Sequence, residues 1–368
     1  MVGADEVRAS AAGGRADYLE LIMSRPLARV AVALGALVAT LGMSACGSDA
    51  QASGAAPAEV RLGYFPNLTH AAAIVADKEG FFAKHLGATK LKVTTFNAGP
   101  SAMEALKSGA IDATYVGPGP ATNAFINSDG QALTIVAGAA TGGTSLVVDP
   151  SIRSAADLKG KKVSSPQLGN TQDIALRYWL RQQGLKTDLQ GGGDVSVLPQ
   201  ENAQIVDAFD QKLISGAWVP EPYATRLVQA GGKVLVDEHD LWPEKKFAIT
   251  VLAVRTDFLM EHPGTVRALL AGDLDGTDFI AKSPAKAQRD VGDLIGKISG
   301  KPLKPGVIEA AWKQLEFTVD PVSSSLLVGA QHAHEVGVLK KEPKLDKLVD
   351  LSLLNQLLKE RGRAQIAK

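Results

Sequence analysis

From Glu59 onward the chain alternates short apolar, β-branched runs with segments of helical period, and this alternation constrains the fold more than any other feature. Runs at 60–65, 91–96, 113–116 and 134–139 read as buried strands, with helices expected at 71–85, 101–108 and 121–127. A second series follows, with strands at 145–148, 162–165, 195–198, 215–219 and 233–237 and helices at 171–183, 202–211 and 222–230. One more strand, 248–255, precedes a helical remainder at 263–283, 285–298, 305–315, 321–336 and 350–361, punctuated by Pro and Gly. Strands and helices in alternation pack as an α/β fold. The chain has 368 residues, enough for two units of ordinary size, and no fixed-period repeat marks a solenoid.

Two series separated by one return strand predict two α/β lobes. The first comprises 59–143 and is completed by 250–368, and the second comprises 144–249. The chain is expected to cross near 140–144 and back near 247–251, making a hinge around a central cleft. Ligands of open α/β sheets bind beyond the carboxyl ends of strands, so the loops there are the candidate site.

The N-terminus reads as an address. A basic stretch, Ser24 to Arg29, leads into the apolar run Val30 to Met43, then Ser44-Ala45-Cys46-Gly47. Basic, apolar and small-residue regions in that order form a secretory signal. The run is shorter than the ~20 residues of a membrane-spanning helix. Acidic Asp5, Glu6, Asp17 and Glu20 do not suit export, so 1–45 is expected to be a signal region with its start at Met23. Residues 46–58, rich in Gly, Ala, Ser and Pro, read as a flexible tether. Cys46 is the one cysteine of the chain, which excludes an intrachain disulfide and a multi-cysteine zinc site.

Lys plus Arg and Asp plus Glu each number 39. That balance argues against nucleic acid as a partner, which calls for a basic surface. The strand-end loops follow suit, carrying amides, hydroxyls and glycines but neither Lys nor Arg: 65–70 after the first strand, 97–104, 117–120, 141–145, 167–173 and 218–223. Asn67 or Thr69 is placed to cap one helix, and Ser101 with Glu104 forms a capping-box pattern. A helix start offers unpaired N–H groups and roughly half a positive charge, so such loops can hold a fully deprotonated anion without a basic side chain.

These loops resemble a known family. Gly63-Tyr64-Phe65-Pro66-Asn67-Leu68-Thr69-His70, Gly99 to Leu106, Ile111 to Pro120 and Ala155 to Val163 look like the substrate-binding proteins of ABC importers, nearest the sulfonate, taurine and nitrate type, a group that includes receptors for thiamine-precursor pyrimidines. The resemblance spans about 59–360. It implies a type II periplasmic-binding-protein fold, two lobes joined by two crossover strands around a ligand cleft. It also implies a monomeric receptor that passes a small organic anion, an aliphatic sulfonate or taurine, to a transmembrane permease and its ATPase. Nitrate or a pyrimidine is the alternative ligand. Carried onto this chain, the ligand contacts are Asn67, Thr69, His70 and Ser101, with Gly117 and Thr141 at the floor; the second lobe adds Gln167, Asn170, Thr171 and Gln172, with Trp218 and Glu221 as a wall. His70 would either donate to the anion or face solvent, and an unperturbed imidazole in contact would make affinity sensitive to pH. Glu221 would receive a ligand amine or pair with a surface base. Met43-Ser44-Ala45-Cys46 resembles a bacterial lipobox, implying lipidation of Cys46 and anchoring on the extracytoplasmic face of the cell membrane.

An enzyme on the same fold, of the pyrimidine-synthesis kind, is the reading of a different class. No Gly-x-Ser-x-Gly, phosphate-loop or His-Glu-x-x-His motif occurs, and no cofactor is expected. His332-Ala333-His334-Glu335 does not make a metal site, because helical residues two apart point to different faces.

Overall fold

The computed structural model describes residues 56–367 apart from Lys301 and Pro305. The signal region, Cys46 and the tether as far as residue 55 lie outside the described residues.

The first lobe opens with β1 (Glu59–Tyr64), α1 (Ala71–Lys78), α2 (Phe81–Leu86), β2 (Lys90–Thr95), α3 (Gly99–Lys107), β3 (Ala113–Val116), α4 (Pro118–Asn127) and β4 (Leu133–Gly142). The second holds β5 (Thr144–Val148), β6 (Lys162–Ser165), α5 (Thr171–Gln182), β7 (Ser196–Pro199), α6 (Asn202–Asp210), β8 (Gly216–Pro220), α7 (Tyr223–Gln229) and β9 (Lys233–Asp237). β10 (Ala248–Arg255) returns to the first lobe. It is followed by α8 (Thr256–Glu261), α9 (Pro263–Lys282), α10 (Pro284–Ser299), α11 (Val307–Trp312), β11 (Leu315–Phe317), α12 (Ser323–Glu335) and α13 (Ser352–Glu360).

Each sheet is built on three parallel strands. The six-stranded sheet runs β11-β4-β10-β3-β1-β2 and the five-stranded sheet β7-β6-β8-β5-β9. β1 pairs in parallel with β2 and β3, and β6 with β7 and β8. In each sheet the next strand is antiparallel and belongs to a crossover: β10 beside β3, β5 beside β8. Every residue of β3, β4 and β8 is buried, which explains why these strands read as unbroken apolar runs rather than as alternating ones. Separate apolar clusters pack on either side of each sheet.

The helix expected at 71–85 is two helices, broken where Gly80 takes a φ of 74°. The first crossover turns on Gly142 and Gly143, both at positive φ; a Cβ on Gly142 would lie 2.0 Å from the His239 ring and one on Gly143 2.3 Å from Leu315. The return path, between β9 and β10, is braced by Trp242 stacked on Phe247 at 5.4 Å.

Candidate functional site

The carboxyl ends of all six parallel strands supply residues to one cavity. β1 leads into Phe65, Asn67, Thr69 and His70, β2 into Asn97 and β3 into Gly117. From the second lobe, β6 leads into Asn170, Thr171 and Gln172, β7 into Asn202, and β8 ends at Pro220; Ile249 of β10 completes the lining. The cavity is small, with about 20 Å³ open to the centre of a water molecule. No Lys or Arg lines it. Its positive character comes from the first turns of α4, α5 and α6, whose caps or first residues are Gly117, Asn170 and Asn202.

Hydrogen bonds within the lining engage its acceptors first. Asn67 Oδ1 accepts from Thr69 Oγ1 at 2.7 Å, which spends the amide oxygen and leaves its NH₂. Phe65 N–H donates to His70 Nδ1 at 3.2 Å, so the imidazole carries its proton on Nε2. His70 is fully buried, stacked on Phe65 at 4.3 Å, and burial pushes its pKa down to about 3. It is a neutral donor and does not face solvent. Asn170 Nδ2 donates to Gln172 Oε1 at 2.9 Å, freeing the Gln172 NH₂. Thr171 Oγ1 accepts from Gly119 N–H at 3.2 Å and keeps its own hydrogen to give. Asn202 Oδ1 is buried without a hydrogen-bond partner, and a 180° turn of that amide would put its NH₂ there instead.

The two lobes are closed on each other. Gly99 N–H reaches Asn170 Oδ1 at 3.4 Å, Asn97 Nδ2 reaches Glu201 Oε1 at 2.9 Å, and Leu68 N–H reaches the Glu221 carbonyl at 3.1 Å. Tyr178 of α5 stacks on His332 of α12 with centroids 3.5 Å apart. Gly117 is placed where a Cβ would lie 2.3 Å from Thr171 Oγ1, so any larger residue here would force Thr171 or the two lobes to shift.

Residues 53–295 match the NMT1-like family. The chain belongs to that family. A protein of Brucella abortus named as a binding protein is 29% identical over 232 residues, 62% of this chain and 69% of the relative. The nitrate/nitrite binding protein NrtA of Nostoc is 27% identical over 254 residues, 62% of this chain and 56% of the relative. Among solved structures, the alkanesulfonate-binding protein SsuA from Xanthomonas axonopodis pv. citri, bound to MOPS, matches with a TM-score of 0.67 at 20% identity, covering 80% of this chain and 99% of that one. The fold is that of the periplasmic binding proteins, and the relatives named above are binding proteins.

Seven of the residues expected at the ligand line the cavity of this NMT1-like chain: Asn67, Thr69, His70, Gly117, Asn170, Thr171 and Gln172. Five do not. Ser101 is exposed inside α3, its hydroxyl donating to the Ala98 carbonyl at 2.8 Å; the helix starts at Gly99 with Pro100 in its first turn, two residues before the expected cap. Thr141 is buried within β4 between β10 and β11. Gln167 is half-buried outside the lining, its Oε1 without a partner. Trp218 is no wall: it lies in the second-lobe core against Trp179, its indole donating to Glu238 at 2.7 Å. Glu221 faces neither ligand nor base; its carboxylate accepts from Thr225 N–H and Oγ1 and so caps α7, and burial pushes its pKa up to about 7. Asn67 caps no helix, since its oxygen goes to Thr69 instead of a backbone N–H. Asn97 and Asn202 also line the cavity and were not among the expected contacts: Asn97 opens the strand-end loop 97–104, where Ser101 was expected instead, and the loop after β7 that holds Asn202 is reached once the strand-end rule is applied there too.

Proposed function

We propose that the chain is the extracytoplasmic receptor of an ABC importer, capturing a small organic anion, an aliphatic sulfonate or taurine, for a transmembrane permease driven by a separate ATPase. The observation that carries this reading is the donor cavity: amide, hydroxyl and neutral imidazole donors from both lobes converge there with no basic side chain. A sulfonate is fully deprotonated at neutral pH and presents acceptors on every oxygen, which suits a site of donors. Hydrogen phosphate retains a proton and needs an acceptor as well. The Xanthomonas structure, named as alkanesulfonate-binding, and the Nostoc relative, named as nitrate/nitrite binding, both fall within this chemistry.

Nitrate is the second reading, favoured by one observation: about 20 Å³ of open space suits a compact ion. Thermal-shift measurements followed by calorimetry with methanesulfonate, taurine, nitrate, sulfate, phosphate and a pyrimidine separate the two. Stabilisation by sulfonates at micromolar affinity is expected. Stabilisation by the pyrimidine and by none of the anions would overturn the anion reading.

Anchoring belongs to the same proposal. Export through the signal region and lipidation of Cys46 would hold the receptor at the outer face of the membrane, with 46–58 as its tether. Cys46→Ser is expected to move the protein from the membrane fraction to the soluble extracytoplasmic one, and continued retention would contradict the lipobox.

A further inference from the structure

The donor cavity adjoins an outer one, with about 50 Å³ open to the centre of a water molecule; Phe65, Asn67, Asn97 and Asn202 line both. Asn97 is the one exposed residue in the donor-cavity lining, so the outer cavity stands on the side that faces solvent. It adds Pro66, Ala203, Tyr223 and Glu201 to the walls. Among the described residues that line either cavity, Glu201 alone carries a charge at neutral pH. Glu201 is the N-cap residue of α6, yet its side chain makes no cap bond. The carboxylate instead reaches across the seam between the lobes, Oε1 accepting from Asn97 Nδ2 at 2.9 Å. Burial raises the pKa of the Tyr223 hydroxyl, the Arg226 guanidinium lowers it and Glu201 raises it, so the carboxylate is felt inside the outer cavity. Arg226 itself lies 5.5 Å from the Tyr223 ring and lines a different groove, beside Asp207 and Asp210.

We propose that Glu201 is a specificity-determining residue: its carboxylate at the mouth of the donor cavity turns the receptor against doubly charged anions, so that a monoanion such as methanesulfonate is taken and sulfate is refused. The proposal rests on the anion-receptor reading above. The inner donors do not draw this distinction themselves, because neutral amides and hydroxyls donate to the oxygens of sulfate as readily as to those of a sulfonate. The helix N-termini around the cavity even favour the dianion, since attraction grows with the charge attracted. A fixed negative charge at the mouth opposes them by the same rule, repelling a dianion with twice the energy of a monoanion. Glu201 is the side chain placed to do so, one amide away from the ligand space through Asn97.

Glu201→Gln is the discriminating variant, because it removes the charge and keeps a carbonyl oxygen to accept from Asn97. Calorimetry on the full chain would use taurine, methanesulfonate and sulfate, which at neutral pH carry no net charge, one negative charge and two. Through a water-filled mouth, Glu201→Gln is expected to tighten methanesulfonate about threefold and sulfate about tenfold, with taurine gaining least. Glu201→Ala also removes the seam bond, so it should bind all three more weakly than Glu201→Gln by a common factor and keep the same ratio of sulfate to methanesulfonate. Equal changes for sulfate and methanesulfonate in Glu201→Gln would overturn the charge selection while leaving the receptor standing. Sulfate binding more tightly than methanesulfonate in the wild type would overturn it as well. Failure of every anion to bind would sink the receptor reading, and the role of Glu201 with it.

Discussion

Gly117→Ala separates closing the lobes from folding them. Gly117 has φ −67° and ψ 148°, angles open to any L-residue, so an alanine there strains no backbone. Its cost appears across the cleft, where the new Cβ would lie 2.3 Å from Thr171 Oγ1 and 3.4 Å from Thr171 Cβ. The first distance is about 1 Å short of van der Waals contact. Thr171 cannot rotate away freely, because its hydroxyl accepts the Gly119 N–H across the seam at 3.2 Å. Closure must therefore absorb an overpacked contact worth about 1–3 kcal/mol and a weakened hydrogen bond worth about 0.5–1.5 kcal/mol. The sum, about 1.5–4.5 kcal/mol, weakens ligand affinity by roughly 10- to 2000-fold. Calorimetry with a bound sulfonate measures it, and the melting temperature without ligand checks that folding is intact. Thr171→Ala alone should cost about 1 kcal/mol for its lost donor. The double variant, with Thr171 Oγ1 gone, should recover the steric part and bind more tightly than Gly117→Ala alone. Gly117→Ala binding within twofold of the wild type would refute the idea that ligand is held by the lobes closed in this way.

Four further outcomes follow from single side chains. Burial pushes Asp273 up to about pKa 7, with one oxygen accepting from Tyr115 at 2.7 Å and the other without a partner. The folded chain thus keeps a proton that the unfolded chain releases above its ordinary value of 3.8, and stability falls as pH rises from about 4 to 7. Asp273→Asn keeps the Tyr115 bond without the charge, so its melting temperature should exceed the wild type's at pH 8 and match it near pH 4; an equal effect at both would contradict the assignment. Arg177, 1% exposed, bonds both Asp173 oxygens through Nε at 3.1 Å, and Arg177→Leu leaves that buried carboxylate without its counter-charge, held only by Ser165 Oγ and the Gly169 N–H, at a cost of about 3–5 kcal/mol. Urea unfolding would measure the loss, and adding Asp173→Asn should recover much of it. His70, neutral down to about pH 3, should leave sulfonate affinity flat between pH 5.5 and 8, whereas tenfold tightening at pH 5.5 would mean an imidazolium donor. Asn202→Asp puts a carboxylate where the ligand anion is proposed to sit and should weaken sulfonate binding at least 100-fold by calorimetry, far more than Asn202→Ala.

The fold class was legible because strand and helix periods differ and the alternation is long. The short elements were not: β11 and α8 have too few residues for a period to show. At the site, position relative to a strand end carried more information than residue type. Asn67, Gly117 and Thr171 were found by position, and Asn97 and Asn202 are reached by the same rule. Trp218 and Glu221 were misjudged for what residue type hides. Alternate residues of β8 point to opposite faces of its sheet, and Trp218 takes a core face, where it bonds Glu238 20 residues away. Glu221 lies beyond the strand end, yet its carboxylate is spent on the helix that follows. The donors are divided between the lobes. Asn67 and His70 stand on one lobe, Thr171, Gln172 and Asn202 on the other. Neither lobe alone presents the full set to an anion, so a ligand that needs both groups binds the closed arrangement better than the open one. That difference in affinity is the free energy available for closing the hinge. A chain with 39 basic and 39 acidic residues can then be both neutral and selective for an anion, since the attraction exists only where the strand ends meet.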